Sequence, residues 1–258
     1  MKNIVFHKYQ GKGNDFIMIH AADWKIELTT DDIKTLCHRR FGIGADGLIL
    51  VGENSELDFE MRYFNSDGSR SFCGNGARCA VHFAHSFGYF EKECTFLAID
   101  GVHEASLESA NLVKLKMADV HSWEVNENGD YILHTGSPHY IRFTDFLDKE
   151  DIVGYGKEIR YSETYKKEGI NVNLAQKVEN GIRMLTYERG VEDETYSCGT
   201  GATAAALAYR HQAGLNGTVE TPIFVKGGEL KVQSKQNENG FYAIYLIGPA
   251  EKVYEGKI

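Results

Sequence analysis

The sequence predicts an α+β fold of two similar domains, each a mixed β-sheet or barrel wrapped around a central apolar helix, with an active site in the cleft between them. Three observations predict it. Cys73-Gly74-Asn75-Gly76-Ala77 returns 125 residues later as Cys198-Gly199-Thr200-Gly201-Ala202. Upstream, Phe64-Asn65 is echoed by Tyr187-Glu188, and Gly13-Asn14-Asp15-Phe16 more weakly by Gly136-Ser137-Pro138-His139, both at an offset of 123. Matches in the same order at nearly constant spacing mark an internal repeat, and halves of about 120 residues have the size of ordinary domains. Finally, each Cys motif runs into an apolar stretch of helical character, with short strand-like runs on both sides.

Along the chain, residues 17–20 read as a strand and 30–39 as a helix capped by Thr29 or Thr30. Residues 48–51, 58–64 and 112–117 are alternating or apolar runs bounded by Gly, Asn or Asp, hence strands. Between them, 77–87 (ARCAVHFAHSF) predicts a helix stopped by Gly88, the usual residue just past a helix end. The composition turns polar at 118–128, so the first half is expected over 1–118, rejoined by a last strand at about 249–258. The second half is then 119–248. In it, 151–159 and 202–213 predict helices, and 183–187 and 242–247 predict strands. The 202–213 helix is nearly all Ala and Leu before Arg210 and ends at Gly214, so it should be buried on most sides.

Bulk composition narrows the function. The 258 residues are 42% hydrophobic and 25% charged, and 28 Lys plus Arg against 37 Asp plus Glu leave a net charge of −9. That balance repels phosphate backbones, so no nucleic-acid partner is expected. The start has no apolar core of leader length, and no apolar run approaches the span of a bilayer. A soluble cytoplasmic protein with a small-molecule partner and no membrane contact is expected. The cysteines are Cys37, Cys73, Cys79, Cys94 and Cys198. An odd count in a reducing compartment argues against a disulfide framework. Cys73 and Cys79, with His82 and His85, lack the close C-x2-C pairing of a zinc site, so no metal is expected. Cys37 and Cys94 read as small buried apolar residues.

Cys73 and Cys198 read differently. Each C-G-x-G places a thiol at a helix N-terminus, where free N–H groups and the helix dipole favour anions. A free thiol titrates near 8.5, and lowering it by one unit takes about 1.4 kcal/mol, within the ~2 kcal/mol a helix end can supply. Two such ends facing each other could grip one carboxylate and hold its α-carbon between the sulfurs. One thiolate would remove the α-proton while the opposite thiol delivers another to the other face, inverting the centre. A phosphate loop is excluded because G-x-x-x-x-G-K-[ST] is absent, and a nicotinamide site because the βαβ setting is missing.

At these motifs the chain resembles the diaminopimelate epimerase family over almost its whole length. The matching stretches are Gly13-Asn14-Asp15-Phe16, Gly42-Ile43-Gly44-Ala45-Asp46-Gly47, Asn65-Ser66-Asp67-Gly68-Ser69, the two Cys motifs, Gly136-Ser137-Pro138-His139, Asn171-Val172-Asn173 and Glu188-Arg189-Gly190. The resemblance implies interconversion of L,L- and meso-diaminopimelate by Cys73 and Cys198, on the route to lysine and cell-wall peptide, with no cofactor and a homodimeric assembly. It implies that His139 and Glu188 orient the thiols or take their protons. It implies that the N–H groups of Gly74, Asn75, Gly199 and Thr200 hold the α-carboxylate. Asn14, Asn65, Asn171, Glu188 and Arg189 resemble the substrate-binding set, with Arg189 on the distal carboxylate. The chain departs from the family pattern at Ser137 (often Asn), at Gly47 (sometimes Gln), in a 65–73 loop one residue short and in a 189–198 stretch one residue long. The alternatives are a racemase of another amino acid, such as histidine or proline, and, in a different class, a thiol redox or zinc-binding module.

Overall fold

In the computed structural model of the chain, the described residues are 4–23 and 28–258. The first three positions of the chain start, read above for a leader, lie outside them. The chain divides into two compact units, Met1–Leu115 with Gly248–Ile258, and Lys116–Ile247.

The first unit contains β1 (Val5–Gly11), β2 (Asn14–His20), α1 (Thr30–Cys37), β3 (Gly47–Gly52), β4 (Phe59–Asn65), α2 (Gly74–Ser86), β5 (Glu93–Ala98), β6 (Gly101–Leu107) and β7 (Leu112–Lys116). A last strand, Glu251–Lys257, runs antiparallel to β1. From β1 onward the pairings are antiparallel, parallel, antiparallel, parallel, antiparallel, antiparallel. α2 packs on β1, β2, β3, β4 and β6 and is the central helix of the unit.

The second unit repeats this plan. It contains β8 (Trp123–Val125), β9 (Tyr131–His134), β10 (Pro138–Phe143), α3 (Ile152–Arg160), β11 (Asn171–Val178), β12 (Gly181–Glu188), β13 (Asp193–Glu194), α4 (Gly199–Gln212), β14 (Val219–Val225), β15 (Gly228–Asn237) and β16 (Gly240–Pro249). The series β9-β10-β11-β12-β14-β15-β16 has the same succession of directions as β1 to β7. The register agrees residue by residue. Phe16 lies beside Gly47 in the first parallel pair, as His139 lies beside Asn171 in the second. The weak echo of Gly13–Phe16 in Gly136–His139 is therefore a structural equivalence, and Phe16 corresponds to His139.

The helices follow from local chemistry. Thr29 caps α1 through a reciprocal box with Asp32, and Asp151 caps α3 by accepting from Gly154 N at 2.9 Å. α1 stops at Cys37, two residues earlier than the periodicity predicts. α2 and α4 begin three residues before the predicted starts, because the glycines themselves form the first turn. Both end where Gly88 (φ +78°) and Gly214 (φ +61°) turn left-handed. Most residues of α4 from Gly199 to Arg210 are buried, as an Ala-rich helix inside a sheet requires.

One polar cluster ties β1 and β2 to the loop before β3. Lys8, 7% exposed, pairs with Asp15 at 2.7 Å, and Arg39 reaches both Asp15 and Asp46. Burial raises the Asp15 carboxyl, but hydrogen bonds from Arg39 and Lys8 overcome it and hold the group at about 2. Asp15→Asn should destabilise the chain by about 3 kcal/mol, because it leaves a buried ammonium without its partner. Urea unfolding measures this, and a loss below about 0.5 kcal/mol would mean the cluster contributes little.

Candidate active site

Each central helix starts on one of the repeated cysteines. Cys73 is the N-cap of α2, with Sγ accepting from Gly76 N at 3.5 Å, and Cys198 is the N-cap of α4. The first-turn amides that follow, Gly74 and Asn75 in one unit and Gly199 and Thr200 in the other, have no carbonyl within the helix to bond to. The third residue after each Cys is Gly, and a side chain there would be crowded, more severely in the second unit. A Cβ on Gly76 would lie 3.0 Å from Ile49 Cδ1 and 3.4 Å from Phe16 Cε1, and one on Gly201 would lie 2.6 Å from Asn173 Oδ1 and 3.3 Å from His139 Cε1. The helix start is thus pressed onto the same two strand positions in both units. Those positions are apolar in the first and polar in the second.

Around Cys73, Asn14 is central. Its Nδ2 donates to Asp46 Oδ2 at 2.6 Å, which turns its Oδ1 toward the helix end. There it accepts from Asn75 Nδ2 at 3.3 Å and from the Cys73 thiol at 3.6 Å. Arg78, 0% exposed, donates to Asn75 Oδ1 at 2.9 Å. Asn65 closes its own loop, donating to Ser69 Oγ at 3.0 Å and Ser71 Oγ at 3.1 Å, while Gly68 (φ +87°) makes the turn. In this structure the Asn65 amide is a turn-former, with Asp67 accepting from Ser69.

Around Cys198 the tautomer of His139 can be derived. Asn173 Oδ1 accepts from Thr186 Oγ1 at 2.9 Å and its Nδ2 donates to Tyr140 O at 3.1 Å, so the same Nδ2 must donate to His139 Nδ1 at 3.1 Å. The proton of the neutral ring is therefore on Nε2, which donates to Thr200 Oγ1 at 2.8 Å. Thr200 Oγ1 lies 3.5 Å from Cys198 Sγ, accepting from the thiol or, when the sulfur is ionised, donating to it. Burial, reinforced by the charges of His134 and Arg189, pushes His139 down to about 3, so it is neutral at ordinary pH. The contacts run from His139 to Thr200 and from Thr200 to Cys198.

Asn171 and Arg189 meet. Asn171 Oδ1 accepts from Arg189 N at 2.9 Å, and its Nδ2 donates to Ser137 Oγ at 2.9 Å. Arg189 donates to Glu168 O at 2.8 Å and lies 3.5 Å from Ser137 Oγ. Ser137 is thus wired to both. Glu188 ends β12 opposite Asp193. The longer 189–198 stretch is anchored by Glu192 (φ +61°), whose carboxylate accepts from Gly190 N, Tyr187 Oη and Tyr161 Oη. Gly47 is explained by packing, because a Cβ there would run into the Tyr63 ring and lie 2.6 Å from Phe64 O.

The other thiols are inert by environment. Burial pushes Cys37 up to about 11 and both Cys79 and Cys94 to about 12. Among the described residues no cluster of three or more His, Cys, Asp or Glu could hold a metal ion, and no helix is long and apolar enough to cross a membrane. Three residues that hydrogen-bond beside the motif positions were not singled out in the sequence: Asn173, Thr186 and Arg78. The Asn171-Val172-Asn173 alternation was the available signal for the first, since both amides then share one strand face.

The diaminopimelate epimerase family model matches residues 6–123 and 131–253. A diaminopimelate epimerase of Flavobacterium psychrophilum is 46% identical over 98% of this chain and 99% of its own, and one of Hydrogenobaculum is 37% identical over 97% of each. Among solved structures, a PhzF-family phenazine biosynthesis protein of Bacillus anthracis aligns with a TM-score of 0.78 at 15% identity, covering 100% of this chain and 99% of its own. A hydroxyproline epimerase of Agrobacterium vitis aligns at 0.68 and 15% identity, covering 100% and 91%. These two likenesses establish the two-domain fold, and the family match with its full-length relatives establishes that the chain belongs to the diaminopimelate epimerase family.

Proposed function

We propose that the chain inverts an α-carbon of diaminopimelate, interconverting its L,L and meso forms, with Cys73 and Cys198 as the acid/base pair. The observation that carries this reading is the repeated helix end: in each unit a cysteine caps a glycine-opened central helix and is hydrogen-bonded to a polar side chain. A thiolate at one helix end takes the α-hydrogen and becomes a thiol, and the thiol at the other gives its hydrogen to the opposite face and becomes a thiolate. The carbanion between these steps is stabilised by the carboxylate, held by the amides of Gly74, Asn75, Gly199 and Thr200. Asn14, Asn65, Asn171, Glu188 and Arg189 bind the rest of the substrate, and His139 and Glu188 support the thiols. The same reading makes the protein a cytoplasmic homodimer that needs no cofactor. Purified protein given L,L-diaminopimelate in deuterated water should form the meso isomer carrying deuterium at the inverted carbon. Conversion of proline or histidine instead would assign it to another branch of the fold.

The Thr200 hydroxyl provides a sharper test. A hydrogen bond to an ionised sulfur contributes about 2 kcal/mol, so Thr200→Val should slow turnover about 30-fold, with Thr200→Ser close to wild type. Equal rates for the Val variant and the wild type would remove His139 from the mechanism.

A further inference from the structure

Arg189 sits in the short turn that joins β12 to β13, and the residue that closes this turn is strained. Glu192 N donates to Glu188 O at 2.8 Å, which completes a single helical turn around Arg189. The turn uses two left-handed positions. Gly190 (φ +92°) adopts that backbone freely, but Glu192 (φ +61°) does so against the crowding of its own Cβ. A residue is kept in such a conformation only where its surroundings hold it there. Here the Glu192 carboxylate provides the hold. Oε1 accepts from Gly190 N at 3.1 Å, inside the turn, and Oε2 accepts from Tyr187 Oη at 2.8 Å and Tyr161 Oη at 3.0 Å. Arg160 Nε lies 3.5 Å from Oε1. Burial raises the carboxyl, but these hydrogen bonds and the Arg160 charge outweigh it and hold the group below the usual carboxylate range.

The partners of that carboxylate belong to well-packed elements. Tyr187 is 0% exposed, and α3 presses on it so closely that a Cβ on Gly156 would lie 2.4 Å from Tyr187 Cβ. Arg160 is the last residue of α3, and Tyr161 follows it. Glu192 thus ties the turn both to β12 and to the end of α3. The tie extends to the Arg189 side chain through Gly169 (φ +74°). A Cβ there would lie 2.6 Å from Arg189 Cδ and 2.8 Å from Arg160 Cζ. The two arginines therefore lie against one face of the same backbone, where their charges repel, and Glu192 compensates the charge of Arg160. Arg189 itself is held by its N–H on Asn171 Oδ1 at 2.9 Å and by a guanidinium bond to Glu168 O at 2.8 Å. Both anchors keep their geometry only while the turn stays shut.

We infer that Glu192 is a positioning residue that closes the Arg189 turn and joins it to Arg160, so that the Arg189 guanidinium is held ready for the distal carboxylate of a dicarboxylic amino acid. This rests on the role proposed above for Arg189 and adds what sets its aim. The test uses Glu192→Asn. Asparagine tolerates the left-handed backbone, but it is one methylene shorter and uncharged, so the change removes the carboxylate and keeps the shape of the chain. For diaminopimelate, kcat/KM should fall about 10-fold. In an Arg189→Ala background the same change should cost less than about 2-fold, because a residue that acts through another then has nothing left to act on. A residue that only stabilised the fold would cost the same factor in both backgrounds, and such additive losses overturn the inference. Undiminished kcat/KM in Glu192→Asn overturns it as well.

A second measurement needs no substrate. The NMR order parameter of the Arg189 backbone amide should be close to the ~0.85 of rigid chain in the wild type and fall toward the ~0.6 of flexible chain in Glu192→Asn. The same value in both proteins overturns the inference. This readout is independent of turnover. A wild type that acts on another amino acid would sink the substrate reading, and the order parameter would still decide whether Glu192 holds Arg189 in place.

Discussion

Cys73→Ala and Cys198→Ala should each reduce epimerisation of diaminopimelate by about 10³-fold or more, since each removes the only proton carrier for one face of the carbon. The two variants should nevertheless differ in what they still do. A protein lacking Cys198 retains the Cys73 sulfur, which can remove the α-hydrogen of the isomer that presents it and return a solvent deuteron to the same face. That isomer should exchange in deuterated water without inverting, and the opposite isomer should do neither. Cys73→Ala should show the mirror pattern. A single-base mechanism predicts inversion and exchange lost together for both isomers in one variant and little change in the other. The isotope pattern therefore decides more than the rate does. Near-normal turnover in either variant would end the two-thiol model.

Much of this was legible in the chain because duplication carries information that single motifs lack. A lone C-G-x-G is a weak signal, but two at 125 residues, each preceded by an aromatic-polar pair, located both helix starts and the ends of β4 and β12. The predicted helices lie within three residues of the observed ends at each terminus, since caps and terminal glycines act locally. Strands such as β1, β6 and β15 left weaker traces. Their exposed faces carry His, Lys, Glu and Gln, and their pairing is fixed by residues far away in sequence. The same distance hid the His139–Thr200–Cys198 chain, which joins positions 61 residues apart, and the dependence of the tautomer on Asn173 and Thr186. Arg78 was hidden for another reason. A cationic residue in an apolar helix reads as a surface position, and only the packed structure shows it fully buried.

Arg189→Ala should reduce kcat/KM for diaminopimelate by about 10³-fold or more while leaving the melting temperature nearly unchanged. The side chain is exposed, so the fold does not depend on it. Its backbone N–H, which the substitution keeps, holds Asn171 Oδ1 at 2.9 Å. Its guanidinium donates to one carbonyl, Glu168 O, and approaches one hydroxyl, Ser137 Oγ. Among the described residues it has no carboxylate partner, which leaves donors in a fork suited to two-pronged capture of an incoming carboxylate. A substrate with a single carboxylate already gripped at the helix ends would have no use for it, whereas a bis-amino diacid presents a second. Binding a substrate that lacks that group would leave the guanidinium unpaired, and sites of this kind reject such analogues by about 10⁴ or more. Lysine, which matches diaminopimelate but lacks the distal carboxylate, should therefore turn over at least about 10⁴-fold more slowly. For Arg189→Ala the two rates should converge, because the group that tells them apart is gone. Comparable wild-type turnover of lysine and diaminopimelate, or an Arg189→Ala variant that keeps the discrimination, would place the distal-carboxylate contact elsewhere.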